Sequence, residues 1–224
     1  MKPVLRENLT SRVYNDLRQA LMEGSFAPGH RFKIRALAID LGVSETPVRE
    51  ALMQLVRERA LEMHAAKSIA VARMTLAQYL ELRDIRLLLE GMAAEAAAKL
   101  ITDDDISMLE KIHEDLVAAE SEGRWTDAVR ANWQFHHTLY ENSQMPELLA
   151  LLESIWLRNG PLLNIHYPDA PPTYSGRHQH LNVLEALRRR EPAKVREAIK
   201  TDMIEGGRLL VRKLAQIEGV TPPA

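Results

Sequence analysis

A glycine-containing turn between two short amphipathic segments constrains the fold of this chain more than any other feature. The first segment has apolar residues at helical spacing and ends at Gly42, and the second begins at Ser44, a residue type that suits a helix N-cap. The residues expected to face inward are Ile34, Leu37, Ala38 and Leu41 in the first segment and Ala51, Leu52, Leu55 and Val56 in the second. Two helices joined by so short a turn form a helix-turn-helix, whose second helix projects toward the major groove of DNA.

The segments on either side of this motif predict a winged helix-turn-helix. A preceding helix should end near Gly24, because apolar residues recur every four positions before it, at Leu9, Val13, Leu17 and Leu21. After the motif, residues 61–64 and 69–73 have the length and composition of strands, with a turn at residues 65–68. Three helices plus a small β-hairpin are therefore predicted for a DNA-binding domain over residues 1–74.

The rest of the chain is predicted to be an all-α antiparallel helical bundle over residues 75–218, with a tail at 219–224. Strand signals disappear after residue 75, and the long segments that follow have the 3.6-residue period. Thr75 and Gln78 have the spacing of a capping box, Thr126 is expected to cap a later helix, and Pro192 suits a first helical turn. Further helices are expected near residues 103–122, 126–142, 146–159, 176–190 and 192–216, with a loop at 168–176 preceded by one short helical turn. The predicted fold class is mainly α.

Charge and composition are typical of a cytoplasmic protein whose N-terminal part binds a polyanion such as nucleic acid. Residues 1–75 carry 12 Lys and Arg against 8 Asp and Glu, whereas the remainder carries 17 against 23. The chain has no cysteine, which excludes disulfides and thiolate metal sites and is typical of a reducing compartment. We find neither a signal sequence nor an apolar run of about 18 residues, so no membrane partner is expected.

The sequence around the helix-turn-helix resembles that of the GntR superfamily of bacterial regulators. The resemblance lies in LAIDLGVSETPVREAL at residues 37–52 and LMEGSFAPGHRF at residues 21–32, and it continues through the wing to Val71. It implies that Arg35, Thr46 and Arg49 contact double-stranded DNA. An arginine there can bind guanine or a phosphate, and Thr46 near a helix N-terminus suits a phosphate oxygen, although an exposed arginine can also be a solvated charge. The candidate DNA-binding set is Arg35, Ser44, Glu45, Thr46, Arg49, Lys67 and Ser68.

Two residues in this region depart from the family pattern. Glu45 stands where the family usually has arginine, and Ser68 stands where the wing usually has glycine. A glutamate can accept a hydrogen bond from cytosine N4, which would change base preference. It also favours the positive end of a helix dipole, in which case Glu45 would avoid DNA. Both interpretations of Glu45 remain open from the sequence.

Four residues of the helical part are candidate metal ligands. Asn132 and His136 are spaced i, i+4 and leave one face of one helix. His180 and Asp202 each lie 11 residues from Glu191, where a turn between two helices is expected. If those helices pack antiparallel, both residues stand about 16 Å from the turn, at about 1.5 Å per residue. For His136 alone, a hydrogen-bonded core histidine is the alternative.

The second half also resembles the FCD ligand-binding domain of FadR-type GntR regulators. The matching text is RLLLE at residues 86–90, NWQFH at 132–136 and HLNVLEAL at 180–187. The resemblance implies a divalent metal, commonly held by one aspartate and three histidines, whereas this chain has Asn132 at the usual aspartate and Asp202 at the usual last histidine. Two imidazoles, an amide and a carboxylate suit Zn, Ni, Mn or Fe without distinguishing them.

The same resemblance predicts a small carboxylate effector near the metal. Arg86 is the main candidate for binding it bidentately, with Arg158 and His178 as further candidates. The alternative for Arg86 is an ion pair with Glu90, one helical turn later. The other histidines of this part, such as His137 and His166, are expected to be surface or pocket polar groups.

Three functions follow from these features. The first is a homodimeric transcription regulator, acting as a repressor on a palindromic operator, whose DNA affinity a small organic acid changes. The second is a metal-dependent hydrolase or lyase carrying a winged-helix interaction module, but the sequence contains no H-E-x-x-H motif, nucleophile elbow or glycine-rich phosphate loop. The third is a DNA-binding protein with a purely structural metal site. The first is preferred, and the protein is expected not to be an enzyme.

Overall fold

A computed structural model of the chain describes residues 9–64, 68–166 and 176–222. The described part is mainly α-helical with a small sheet near the N-terminus, as predicted. Its first elements are α1 (Leu9–Met22), β1 (Arg31–Phe32), α2 (Ile34–Asp40), α3 (Glu45–Arg57), β2 (Leu61–Met63) and β3 (Ile69–Val71). They form the predicted winged helix-turn-helix, in which α1 packs against α3.

The predicted helix boundaries in this module follow from apolar spacing and from two glycines. Val13, Leu17 and Leu21 of α1 are buried as predicted, whereas Leu9, at the first turn, is exposed. Gly24 and Gly42 both have positive φ, of 70° and 65°. Glycine adopts this left-handed conformation without steric cost, so these residues end α1 and form the turn between α2 and α3.

The wing has one more strand than the predicted hairpin. β3 pairs with β2 on one side and β1 on the other, both antiparallel, in the order β1-β3-β2. β1 has only two residues, too short for an alternating pattern to be visible in the sequence. The backbone N–H of His64 donates to the carbonyl of Ser68 at 2.8 Å and closes the hairpin. The predicted turn residues 65–67, with Lys67, lie outside the described residues.

The helical part contains the remaining elements. These are α4 (Leu76–Ala97), α5 (Asp103–Ser121), α6 (Trp125–Glu141), α7 (Pro146–Asn159), a 3₁₀ helix (Gly160–Leu162), α8 (Leu163–His166), α9 (Gln179–Arg188), α10 (Pro192–Gly206) and α11 (Arg208–Glu218). The predicted capping box of Thr75 and Gln78 is present at the start of α4. The short helical turn expected before residue 168 corresponds to the 3₁₀ helix and α8, and most of the predicted loop lies outside the described residues.

Three predicted helix boundaries are wrong. Arg124 rather than Thr126 is the N-cap of α6, because the carbonyl of Arg124 already accepts the N–H of Ala128. The helix expected from residue 176 begins at Gln179. The helix expected over 192–216 is divided at Gly207, where a Cβ atom would lie 2.7 Å from the Tyr79 hydroxyl of α4, so the close approach of α4 requires a glycine.

The winged helix and the helical bundle share hydrophobic contacts. One large core joins α4, α5, α6, α7, α9 and α10, and a second lies within the winged helix. The second core also includes Trp133 of α6 and Trp156 and Leu157 of α7. The expected boundary at residue 74 falls between β3 and α4, and the division of the chain there remains a prediction. Within the described ranges, the helices are too short or too polar for one to cross a bilayer.

Candidate nucleic-acid interface and metal centre

The predicted DNA-binding residues of the helix-turn-helix lie together on an exposed surface. Arg35 is in the first turn of α2, and Ser44, Glu45, Thr46 and Arg49 surround the first turn of α3; all five are exposed. The opposite face of α3 is buried, through Pro47, Val48, Ala51, Leu52 and Leu55. Ser44 is the N-cap residue, as predicted. The apolar pattern of α3 therefore fixes which side chains are available to a duplex.

Glu45 and Arg49 form an ion pair on this surface. The Oε2 atom of Glu45 lies 3.8 Å from Nη2 of Arg49, and each side chain is about half exposed, at 51% and 55%. Exposed pairs of this kind stabilise by only about 0.3–0.5 kcal/mol, so phosphate or a base can displace the glutamate. Ser68 is half-buried on the wing. The pairing adds a third role for Glu45, as a partner of Arg49, to the two that the sequence leaves open.

The four predicted metal ligands come from three helices and lie close together. Asn132 and His136 are one turn apart on α6, while α9 and α10 run antiparallel around a turn in which Arg190 has φ of 54°. This turn brings His180 opposite Asp202, with Nε2 and Oδ2 3.8 Å apart. Nε2 of His136 lies 3.3 Å from the same carboxylate oxygen. The two histidines and the aspartate are buried, and Asn132 is half-buried.

A buried hydrogen-bonded chain orients the His136 ring. Nδ1 of His136 lies 3.1 Å from the Tyr140 hydroxyl, which donates to Oε2 of Glu90 at 2.5 Å. Because the Tyr140 proton goes to Glu90, the phenol oxygen accepts the N–H of His136 Nδ1. In a neutral His136 ring, Nε2 then carries the lone pair on the side of Asp202, where a cation would be bound by both groups. This is the tautomer that a metal-binding histidine requires, and such outer partners normally fix it.

The protonation states of the cluster favour cation binding. Burial alone would raise the pKa of Asp202, but the neighbouring His180 and His136 outweigh burial and hold that pKa well below its usual value. Burial lowers the pKa of His180 strongly, more than Asp202 raises it. At neutral pH the cluster therefore contains an ionised Asp202 carboxylate beside the neutral ring of His180.

The donors and their distances fit a divalent transition metal. Both ring nitrogens of His180 are buried and make no hydrogen bond within the described part of the chain. Leaving a buried polar atom unsatisfied costs about 1–3 kcal/mol, so the site is incomplete without a further partner. Two ligands about 2.1 Å from one ion at a tetrahedral angle are about 3.4 Å apart, close to the separations of Asp202 from both histidines. Imidazole and carboxylate donors suit Zn, Ni, Mn and Fe.

A small cavity with a partly polar lining adjoins the cluster. Its volume is about 60 Å³, and its polar lining consists of Tyr79, Arg86, Asn132, His136, Asn159 and Asp202. One water molecule needs on the order of 10–15 Å³, so the cavity suits a ligand of only a few non-hydrogen atoms. The Oδ1 atom of Asn159 is buried and has no hydrogen-bond partner among the described residues. This amide oxygen is therefore available to a ligand.

The predicted effector-binding residues differ in how they relate to the cavity. Arg86 lines it, with its guanidinium 4.6 Å from the Trp156 ring centroid, and its Nε atom also forms the ion pair with Glu90 at 2.6 Å. Both interpretations of Arg86 are thus compatible with its position. His178 is the N-cap of α9, and its Nδ1 atom accepts the backbone N–H of His180 at 3.1 Å. Arg158 is half-buried on α7 and is not among the described residues that line the cavity.

Several residues of the site were not predicted from the sequence. Tyr140 could have been, since it lies one helical turn after His136 on the same face of α6. Asn159 and the pairing of Glu90 with Tyr140 carry no such signal, because they depend on how α4, α6 and α7 pack. His113 of α5 is buried beside His178 and His180, and nothing in the spacing of the sequence connects it to them.

Comparisons with known proteins agree with this architecture. Residues 9–78 match the family described as bacterial regulatory proteins, gntR family, and residues 81–204 match the FCD domain. The HTH-type transcriptional regulator McbR of Escherichia coli is 36% identical over 165 residues, which cover 74% of this chain and 75% of that protein. The HTH-type transcriptional repressor RspR of Escherichia coli is 23% identical over 88% of this chain and 86% of its own.

The structural comparison gives the same result. The solved structure of E. coli McbR/YncC superposes with a TM-score of 0.84 at 32% identity, covering 92% of this chain and 98% of the other. These matches are to transcription regulators and not to enzymes, so the alternative of a metal-dependent hydrolase or lyase is not favoured.

Proposed function

Because this chain belongs to the GntR family of bacterial transcription regulators and carries an FCD domain, we propose that it is a ligand-responsive repressor that binds a palindromic operator as a homodimer. The observation that carries the ligand response is the buried imidazole and carboxylate cluster beside a small cavity. Such a protein acts on DNA in the cytoplasm.

We propose that residues 1–74 bind DNA through the exposed surface of the helix-turn-helix and through the wing. Arg49 would contact a base or a phosphate, and Arg35 and Thr46 would contact phosphates beside it. Ser44, Glu45, Lys67 and Ser68 complete the proposed set. Ion pairing with Glu45 holds Arg49 along α3 until DNA replaces the carboxylate.

In the helical domain, Asn132, His136, His180 and Asp202 would hold one divalent metal ion. When bound, the metal supplies positive charge that attracts a carboxylate. The chain's own contribution to effector binding would come from Arg86, whose guanidinium would donate to the effector carboxylate, and from Asn159, whose free amide oxygen would accept a hydrogen bond from an effector hydroxyl group. The small cavity favours a short organic acid over a bulky one.

The route from the cavity to the DNA-binding domain would pass through α6 and α7. Trp156 lines the cavity beneath Arg86 and also belongs to the hydrophobic core of the winged helix. Arg18 of α1 pairs with Glu153 of α7 at 2.9 Å, and Glu153 also contacts His137, the residue after His136, at 3.2 Å. An effector that moves Trp156 would therefore change how α1 is held. It alters DNA affinity only if it binds two arrangements of these domains unequally.

Dimerisation has support in an exposed apolar stripe. Ile85, Leu88 and Met92 lie on one face of α4 and are 41%, 64% and 41% exposed. A second copy of the chain, related by a two-fold axis, would cover this stripe and present two recognition helices to a palindrome. The repressor role is proposed by analogy with RspR, which is named a transcriptional repressor.

A mobility-shift assay with DNA from upstream of the protein's own coding sequence tests the proposal. We expect a specific shift by a dimer that a short carboxylate weakens, and we expect chelation of the metal to abolish the carboxylate effect. A specific shift that no carboxylate changes would favour the purely structural metal site. Failure to bind this DNA specifically, with or without metal, would contradict an operator upstream of the protein's own coding sequence.

A further inference from the structure

His113 is a buried histidine that the proposed metal site does not use. It lies near the middle of α5 and is 6% exposed, and its Nδ1 atom has no hydrogen-bond partner within the described residues. Its ring centroid is 4.8 Å from that of His178 and 5.5 Å from that of His180. An unsatisfied buried nitrogen beside two other imidazoles is open to a ligand.

These three histidines have the geometry of a metal-ligand set. One ring nitrogen of each of His113, His178 and His180 lies within 4.8 Å of the other two. His180 also belongs to the set formed with His136 and Asp202, and both of its nitrogens lack hydrogen-bond partners among the described residues. The buried His180 ring therefore connects two groups of donors, one with a carboxylate and one made only of imidazoles.

We propose that His113, His178 and His180 form a second position for a borderline divalent cation such as Zn²⁺. Imidazole ligands suit Zn, Cu and Ni. The proposal does not depend on a cation at the first position or on the proposed function.

His178 gives up a hydrogen bond when the second cation binds. Its Nδ1 atom now accepts the backbone N–H of His180, so the proton of a neutral ring is on Nε2. A cation at Nδ1 displaces the His180 N–H directly, and a cation at Nε2 moves the ring proton to Nδ1, so the hydrogen bond from His180 is lost in either case. Because loss of this hydrogen bond offsets part of the metal binding by His178, His113 and His180 should contribute most to the affinity for the second cation.

One ligand of the second position, His113, reaches a surface groove. This groove lies between α5 and α9, and Glu110, Glu114, Leu181 and Leu184 also line it. None of the described residues that line this groove also lines the cavity beside Asn132 and Asp202. The groove is also lined by Glu185 and by the three arginines Arg177, Arg188 and Arg189, so its carboxylates are matched by positive charges and it offers access without attracting a cation. The first position can thus be disabled without closing access to the second.

Metal titration of the full-length chain tests this proposal, with Co²⁺ as a spectroscopic probe. The variant Asn132→Ala/Asp202→Ala lacks two ligands of the first position and keeps all three imidazoles of the second. After metal removal it should bind one Co²⁺ per chain, measured by calorimetry and by visible ligand-field absorption. Adding His113→Ala should weaken this binding at least tenfold. Adding His137→Ala, a histidine of α6 that pairs with Glu153, should leave it unchanged.

Two results would overturn the proposal. The first is that the double variant, folded by circular dichroism, binds no Co²⁺. The second is that it binds Co²⁺ with an affinity that His113→Ala does not change. If the alanine variant at position 113 does not fold, His113→Gln keeps a polar side chain without the imidazole and should show the same loss. Operator binding is measured separately, so a failure here is distinguishable from a failure of the proposed repressor function.

Discussion

Replacing Tyr140 by phenylalanine tests the argument that a buried hydrogen-bonded chain prepares His136 to bind metal. The hydroxyl of Tyr140 accepts from Nδ1 of His136 at 3.1 Å and donates to Glu90 at 2.5 Å. Burial raises the pKa of Tyr140 well above its usual value, and Glu90 raises it further, so the hydroxyl remains a donor. Tyr140→Phe removes both bonds and leaves the shape of the ring unchanged.

The structure indicates the size of the effect. The bond to the Glu90 carboxylate contributes about 1.5–3 kcal/mol, and leaving the His136 N–H without an acceptor costs about 1–3 kcal/mol. Partial relaxation makes these costs less than additive, so we expect the free energy of unfolding to fall by about 2–4 kcal/mol. Loss of an outer partner of a metal-binding histidine typically lowers metal affinity 10–100-fold. The variant should therefore lose both stability and Zn²⁺ affinity.

Tyr14→Phe is a matched control. The Tyr14 hydroxyl also donates to a carboxylate, that of Glu58 at 2.9 Å, and burial raises the pKa of Tyr14 to about 12. Tyr14 lies in α1 of the winged helix, outside the proposed metal site. Denaturant unfolding and Zn²⁺ calorimetry of both variants separate the two effects. Tyr14→Phe should lose stability only. If Tyr140→Phe binds Zn²⁺ within twofold of the unaltered chain, Tyr140 does not set the His136 tautomer and the argument fails.

Four further predictions follow. Arg49→Ala should weaken operator binding by about 1–3 kcal/mol in a mobility-shift assay, and unchanged affinity would mean that Arg49 is only a solvated charge. Glu45→Arg should steepen the salt dependence of DNA binding, since one more phosphate is neutralised; an unchanged slope would show that position 45 faces away from the duplex. Asn132→Asp should tighten metal binding in a calorimetric titration, whereas unchanged affinity would mean that this side chain is not a ligand. Burial lowers the pKa of His178 from 6.5 to about 4, so the unfolded chain binds a proton there more readily than the folded one. The free energy of unfolding of the metal-free protein should therefore fall as the pH drops from 6.5 toward 4. His178→Gln should flatten this dependence in denaturant titrations.

The sequence predicted those parts of the fold that depend on local pattern. The buried face of α3, the turn at Gly42 and the capping box at Thr75 are all set by residues within one or two helical turns of each other. β1 was missed because two residues cannot show a period. The break at Gly207 was missed because its cause is the approach of Tyr79 from α4, which is distant in the sequence.

Some residues of the candidate metal site could likewise be predicted from local spacing, and others could not. Asn132 and His136 share a face by helical spacing, and His180 meets Asp202 because both are equally far from one turn between antiparallel helices. His113 comes from α5, whose position beside α9 no spacing predicts. Arg86 shows a different limit of sequence-based prediction. From the sequence, an ion pair with Glu90 and effector binding were alternative roles for this residue. In the structure Arg86 both pairs with Glu90 and lines the cavity, because Nε uses only one edge of the guanidinium.

The exchange of ligand types relative to the FCD pattern is consistent with this geometry. The carboxylate lies on α10, where Asp202 is buried and faces both His136 and His180, at 3.3 and 3.8 Å. The neutral amide of Asn132 is on α6 and is the most exposed of the four. The negative charge of the site is therefore at position 202, where it faces both imidazoles. The more accessible position 132 carries no charge. An anionic effector that approaches past Asn132 would meet a neutral side chain before the metal, so Asn132→Asp should strengthen metal binding and weaken effector binding together.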